Sequence, residues 1–276
     1  MDTTDVENYP GYPKGIMGPD MMEDFKNQAE RFGTDIRFGW ISSVDFSGEK
    51  KILTIDEGDQ ISCDAVIIAT GASAKWLGLE SETRLNGGGV SACAVCDGFF
   101  YKEQDVAVVG GGDTAAEEAL YLSKICTHVH MFIRRDKMRA SKIMQQRVFD
   151  AENITVHWNT TTDEVLGDKV VEGVRVKDTN TGETRELAIT GFFVAIGHKP
   201  NTDIFGDVLT KDEAGYLILA EPGTTKTNIE GVFAAGDVAD KNYRQAVTAA
   251  GTGCMAALDA ERYLSAKAYE KVATTA

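Results

Sequence analysis

A strand, a glycine turn and a helix follow one another without interruption in the middle of the chain. Asp105 to Val109 is a short apolar run of strand composition, and it ends in Gly110-Gly111-Gly112-Asp113-Thr114-Ala115. Ala115 to Ser123 reads as a helix and Val129 to Ile133 as a second buried strand. Each position of Gly110-x-Gly112-x-x-Ala115 has a steric reason. The first glycine permits the tight turn, the second lets backbone approach a pyrophosphate, and the small third residue lets helix and strand pack closely. The helix N-terminus then faces the negative charge. In this strand–turn–helix–strand setting the pattern implies a parallel α/β sheet and a dinucleotide-binding domain.

The end of the second strand bears on which dinucleotide. A ribose-binding acid is expected about 20 residues after the turn for NAD. This chain instead has Arg134 and Arg135, with Arg139 close behind. Guanidinium groups suit a 2′-phosphate, which favours NADPH over NADH. The plainer alternative is a solvated basic turn.

Just ahead of the turn lies Cys93-Ala94-Val95-Cys96-Asp97. Two thiols separated by two residues can close a small ring that thiolate exchange opens and closes repeatedly. A nicotinamide cofactor delivers electrons in pairs, as one disulfide requires. The same pair could ligate zinc, but a structural zinc site wants four ligands, usually as two paired motifs. No second C-x-x-C exists, and the histidines at 128, 130, 157 and 198 show no H-x₃₋₅-H spacing. Asp97 is placed either to move a proton for the thiols or simply to shape the turn before Gly98. Cys63, Cys126 and Cys254 read as ordinary buried small residues.

The 276 residues suffice for two domains. Five cysteines, an odd number in a long chain whose N-terminus does not read as a signal peptide, argue for a reducing compartment, hence a cytoplasmic protein. No apolar run is long enough to span a bilayer, so no membrane partner is expected. A net charge of −15 argues against nucleic acid, which needs clustered cations. The arginine cluster is the exception to that acidity.

Elsewhere, Asn8 to Pro13 is a turn, and Met21 to Phe32 is an amphipathic helix ending at Gly33. Ile36 to Trp40, Ser43 to Asp45 and Lys51 to Thr54 read as short strands, and Ala65 to Ala69 as a buried parallel strand. Ser141 to Asp150 is helical, and Thr155 to Trp158 is a strand. Val170 to Val176 and Glu183 to Leu187 form a hairpin about Asn180-Thr181-Gly182. Phe192 to Gly197 is a further buried strand. Gly231 to Asp237 is a strand running into Gly236-Asp237, a cofactor contact at a strand end or a simple turn cap. Ala246 to about Tyr263 is a long helix.

Taken together, Cys93-Ala-Val-Cys96-Asp97-Gly98-Phe99-Phe100-Tyr101, Gly110 through Leu122, Ala69-Thr70-Gly71-Ala72-Ser73, Gly231 through Asp237 and Tyr243 through Tyr263 resemble bacterial-type, low-molecular-weight thioredoxin reductase. The resemblance runs from about Thr3 to Leu264 with the motifs in family order. It implies a homodimeric flavoprotein with two Rossmann-like, three-layer domains. Electrons would pass from NADPH to FAD, then to a redox-active disulfide, then to thioredoxin. Cys96 would face the flavin, Cys93 would attack thioredoxin, and Asp97 would be the acid/base. Gly110, Gly112, Asp113 and Thr114 match the NADPH loop, with Arg134, Arg135 and Arg139 around the 2′-phosphate. Asn8, Thr70, Gly71, Gly236, Asp237, Arg244, Gln245 and Ala246 fall at flavin positions. Residues 75–200 would form the NADPH domain, inserted into an FAD domain of residues 1–74 and 201–276 and rotating against it.

Two departures qualify this. The family's basic motif begins with histidine, where this chain has Ile133. The family also begins with a strand, a glycine loop, a helix and a second strand, and this chain starts after them. The expectation is therefore an incomplete FAD domain lacking its first βαβ unit, with Val66, Ile67 and Ile68 bared. At about 25 cal/mol per Å² of apolar area, that would cost several kcal/mol and cripple the flavin site. The alternatives to a working reductase are a non-catalytic NADPH-binding fragment or a zinc-held interaction module.

Overall fold

The computed structural model describes residues 5–56 and 58–275. It divides into two units.

The first unit is built on Ala74–His198, with Pro13–Asp20 grouped to it. Its centre is a five-stranded parallel sheet in the order Ile154–Trp158, His128–Ile133, Asp105–Val109, Gly191–Val194, Val90–Ser91. Side chains of a strand alternate between faces, and Asp105–Val109 uses both. Val106 and Val108 pack with Ala115, Ala116, Ala119 and Leu122 of the helix Asp113–Leu122 and with Val148 of the helix Lys142–Asp150. Ala107 and Val109 face the opposite way, onto Val165, Val174 and Val176. Those valines belong to a three-stranded antiparallel sheet, Thr160–Leu166, Gly173–Asp178 and Thr184–Leu187. Three layers result, and the central strand is apolar from Val106 to Val109 because neither face meets water there.

The second unit comprises Met21–Ser73 and the chain from Lys199 onward. Val66–Ile68 pairs in parallel with Val232–Ala234. Phe233 and Ala235 pack on Ala256, Ala260 and Tyr263 of the helix Ala246–Thr275. Val232 and Ala234 turn to the other side, toward Phe46, Phe205, Leu209 and Leu217. An antiparallel sheet, Ile41–Asp45, Lys51–Ile55 and Asp59–Cys63, adds Val44 and Leu53 to that cluster. Gly231 has φ +75°, and a Cβ there would lie 2.8 Å from the Tyr263 ring, so strand and helix meet where only glycine fits.

Several expectations need correction. Ile36 to Trp40 is not a strand; Phe38 is 93% and Trp40 81% exposed. The alternation of Ile36, Phe38 and Trp40 mimics a strand, but a strand needs a ladder partner, and 36–39 find none among the described residues. Of the three residues expected to be bared, Ile67 is 41% exposed and Val66 half-buried, whereas Ile68 is buried in the cluster with Phe46 and Phe205. The strand expected from Val170 begins at Gly173, because Glu172 turns back to Leu166. The hairpin about Asn180-Thr181-Gly182 forms as read. The last helix continues past Tyr263 to Thr275. Cys126 is buried, but Cys63 is only partly so, and Cys254 is exposed on the last helix.

Candidate functional site

Cys93 and Cys96 are joined as a disulfide with Cα atoms 5.3 Å apart. The local chain makes this possible. Val90–Ser91 ends the sheet edge, and Ala94–Asp97 forms a single helical turn capped by Cys93. Ser91 Oγ accepts from the Cys93 N–H at 3.0 Å and fixes the entry to that turn. The Cys96 N–H donates to Cys93 Sγ across 3.3 Å and closes the turn. Ala94 and Gly98 are buried, and a Cβ on Gly98 would lie 2.8 Å from Leu122 Cδ2. The dithiol turn is thus seated directly on the helix that follows the glycine turn. Asp97 is half-buried one residue beyond Cys96, and its N–H donates to the Cys93 carbonyl. Burial, and then the charge of Asp97, raise the Tyr101 phenol.

The other cysteines are chemically different. Burial, with the Asp105 carboxylate second, pushes Cys126 up to about 11, and burial also raises Cys63. Neither forms a thiolate readily.

The glycine turn is shaped as its motif requires. Gly110 has φ +146°, and a Cβ there would lie 2.3 Å from the Ala195 carbonyl oxygen and 2.7 Å from Ala115 Cβ. A Cβ on Gly112, by contrast, would meet nothing within 4 Å, so that side of the turn is open to a ligand. Asp113 and Thr114 open the helix. Asp113 also ties down the neighbouring loop: its Oδ1 accepts from the Ser141 N–H at 2.8 Å, and this bond holds its carboxyl below the usual range. Arg139 and Ala140 donate their N–H groups to the Gly111 carbonyl.

These bonds place the basic loop over a cleft of about 440 Å³. Gly110 and Gly111 form one wall, and Arg134, Arg135 and Arg139 stand at its rim. Three contributors were not anticipated. Lys137 lies in the same basic run and was legible there. Leu77 and Leu79 come from the segment entering the unit, held by the buried Glu82 carboxylate, which accepts from both of their N–H groups. Thr160, Thr161 and Thr162 come from a strand the sequence reading missed. Thr162 Oγ1 is buried without a hydrogen-bond partner, as fits a cleft that receives a polar ligand.

The flavin positions fall mainly in the second unit. Thr70 and Asn201 exchange hydrogen bonds at 2.8 Å, joining the end of Val66–Ile68 to the chain returning from the other unit. Gly71 and Gly236 have φ +68° and +72°. The Gly236 N–H donates to Thr252 Oγ1 at 2.9 Å, anchoring the strand end to the long helix. Asp237 Oδ1 is buried and has no partner, and burial raises that carboxyl, with Asp240 adding to the effect and Arg244 opposing it. An orphaned acceptor at a strand end fits a hydroxyl-bearing cofactor such as FAD. Asp240 organises the loop beyond, accepting from the N–H groups of Asn242, Tyr243 and Arg244. Gln245 follows, and Ala246 begins the helix. Asn8 groups with the first unit.

Comparison with known proteins agrees with this arrangement. Residues 6–253 match the family model described as pyridine nucleotide-disulphide oxidoreductase. The chain is 56% identical to a thioredoxin reductase of Vibrio cholerae over 96% of its own length and 85% of that protein's. It is 53% identical to one of Streptomyces clavuligerus, over 97% of its length and 83% of the other. A solved thioredoxin reductase from Giardia duodenalis superposes with a TM-score of 0.91 at 45% identity, covering 96% of this chain and 86% of that one. Cys93, Cys96 and the expected nucleotide and flavin positions named above all lie within the matched stretch. The chain therefore belongs to the pyridine nucleotide-disulphide oxidoreductases and, within them, to the bacterial-type, low-molecular-weight thioredoxin reductases.

Proposed function

We propose that this chain carries electron pairs from NADPH, by way of FAD, to the Cys93–Cys96 disulfide and on to the disulfide of thioredoxin. The observation that carries the reading is the closed Cys93–Cys96 pair, seated on the helix that opens at a nucleotide-shaped glycine turn. The first unit would hold NADPH through Gly110, Gly112 and Thr114, with Arg134, Arg135 and Arg139 at its 2′-phosphate and Asp113 holding the loop that presents them. The second would hold FAD through Thr70, Gly71, Gly236, Asp237, Arg244, Gln245 and Ala246. Bound FAD supplies the two-electron relay between nicotinamide and disulfide.

The protein's own residues then do the following. Two electrons and two protons open the Cys93–Cys96 bond to a dithiol. Cys93 gives its proton to Asp97 and attacks one sulfur of thioredoxin; a mixed disulfide forms and the thioredoxin S–S bond breaks. Asp97 returns that proton to the departing sulfur. Cys96 attacks Cys93 Sγ, its proton passes to the second thioredoxin sulfur as the mixed disulfide breaks, and reduced thioredoxin leaves. Val95, Phe99 and Phe100 are exposed around the dithiol and offer apolar surface to that partner.

A homodimer and a cytoplasmic location belong to the same reading. Met255, Leu258 and Leu264 remain exposed on the last helix and supply apolar surface for a second copy. No helix among the described residues is long and apolar enough to cross a membrane.

The test is NADPH consumption by FAD-loaded protein on adding oxidised thioredoxin. C96S should bind both cofactors yet turn over about a thousandfold more slowly or worse. Tight NADPH binding with no flavin retained and no thioredoxin reduced would instead mark a nucleotide-binding module.

A further inference from the structure

We propose that Lys137 is a fourth cation of the anion-binding rim and a determinant of this chain's preference for a 2′-phosphorylated nucleotide. The proposal rests on the NADPH reading of the same cleft.

The rim is unusual for this chain. Acidic residues outnumber basic ones 43 to 28, and many lysines and arginines elsewhere are paired with carboxylates. Arg134, Arg135, Lys137 and Arg139 all line one cleft, all are exposed, and none makes an ion pair among the described residues. Four cations without ion pairs among the described residues repel one another within so short a stretch. A dianion at the rim removes that cost.

The backbone leaves Lys137 little choice of direction. Met138 and Ala140 on either side of Arg139 are buried in the core beneath the glycine turn. A Cβ on Gly111 would come within 3.9 Å of Met138 Cα, so the loop lies against the turn. The bonds from Arg139 and Ala140 to Gly111, and from Ser141 to Asp113, hold it in that register. With Met138 and Ala140 pinned inward, Lys137 and Arg139 are presented outward at the cleft. Ile133, which precedes the run, is buried and supplies no polar atom. Asp136 is the one carboxylate within the run, and it leaves the rim strongly positive. A lysine ammonium is a mobile point charge with three donors, suited to follow a phosphate that the arginines fix.

Calorimetric titration of the whole protein with adenosine 2′,5′-bisphosphate and with adenosine 5′-monophosphate tests this. The wild type should bind the bisphosphate at least about tenfold more tightly, as expected when several charge-assisted bonds form. K137Q should lower bisphosphate affinity about three- to tenfold, leave the monophosphate unchanged, and weaken the salt dependence. K137R should restore most of the loss. If the wild type does not distinguish the two ligands, the NADPH reading fails. If it does, and K137Q distinguishes them equally well, the reading stands and the role of Lys137 is overturned. Equal weakening of both ligands by K137Q also overturns it, because the effect would not be on the 2′-phosphate.

Discussion

Gly110 and Ala195 approach so closely that a single methyl group on the glycine would lie 2.3 Å from the alanine's carbonyl oxygen. One strand's end is wedged against the next, and Ala115 fills the remaining space. G110A should therefore destabilise the first unit by about 2–4 kcal/mol, from overpacking and a left-handed φ together. Denaturant unfolding followed by Trp158 fluorescence would read the loss. NADPH binding should fall with it.

Cysteine reactivity should follow environment. With the Cys93–Cys96 disulfide closed, the native protein offers Cys63, Cys126 and Cys254. Cys254 is exposed and should react first with iodoacetamide; Cys126, buried and pushed up to about 11, should react last. Time-resolved alkylation with peptide mapping gives the order. Rapid labelling of Cys126 would contradict the packing described.

Asp237 places a buried, unpartnered oxygen where a flavin hydroxyl is proposed to sit. D237N should stabilise the flavin-free protein by about 1 kcal/mol, because a neutral amide is easier to bury than a carboxylate. The same change should weaken flavin retention about tenfold, since charge-assisted acceptance is lost. Thermal melting without FAD and flavin release by filtration measure the two effects, which should run in opposite directions.

Acid should loosen the first unit through its histidines. His157 Nε2 lies 3.1 Å from His130 Nδ1, and Arg185 donates to His157 Nδ1 at 2.8 Å. Burial first, then His130, Arg185 and His128, lower His157 to about 4; burial and His128 lower His130, with Asp105 opposing. A folded-state value below the unfolded one means that the unfolded chain binds more protons in between. Stability should thus be intact above about pH 6.5 and decline as pH falls toward 4. H157N should flatten that decline in urea midpoints measured from pH 7 to pH 4.

The sequence revealed much of the first unit because its signals are local. The Gly110 turn dictates its own geometry, and strands buried on both faces read as apolar runs. Thr160–Leu166 escaped notice because Thr160, Thr161 and Thr162 look like loop residues until Val165 is seen packing on the sheet. That omission hid one wall of the cleft beside the Gly110 turn. Ile36 to Trp40 failed in the opposite way, since alternation sets which face a residue would take but supplies no neighbouring strand. The spacing of Cys93 and Cys96 announced a pair able to close, while position alone left Asp97 between a proton carrier and a turn residue. That Ser91 and the Cys96 N–H would hold Cys93 was not evident, because hydrogen bonds across a turn depend on backbone direction.

The central claim is that reducing equivalents leave NADPH and reach thioredoxin only through the sulfurs at 93 and 96. The most direct measurement is thioredoxin reduction by flavin-loaded protein in which both are serine, with alkylation mapping of the wild type before and after NADPH. The account predicts that NADPH opens the Cys93–Cys96 pair to labelling in the wild type and that the double serine variant reduces no thioredoxin. Undiminished thioredoxin reduction by that variant would contradict it.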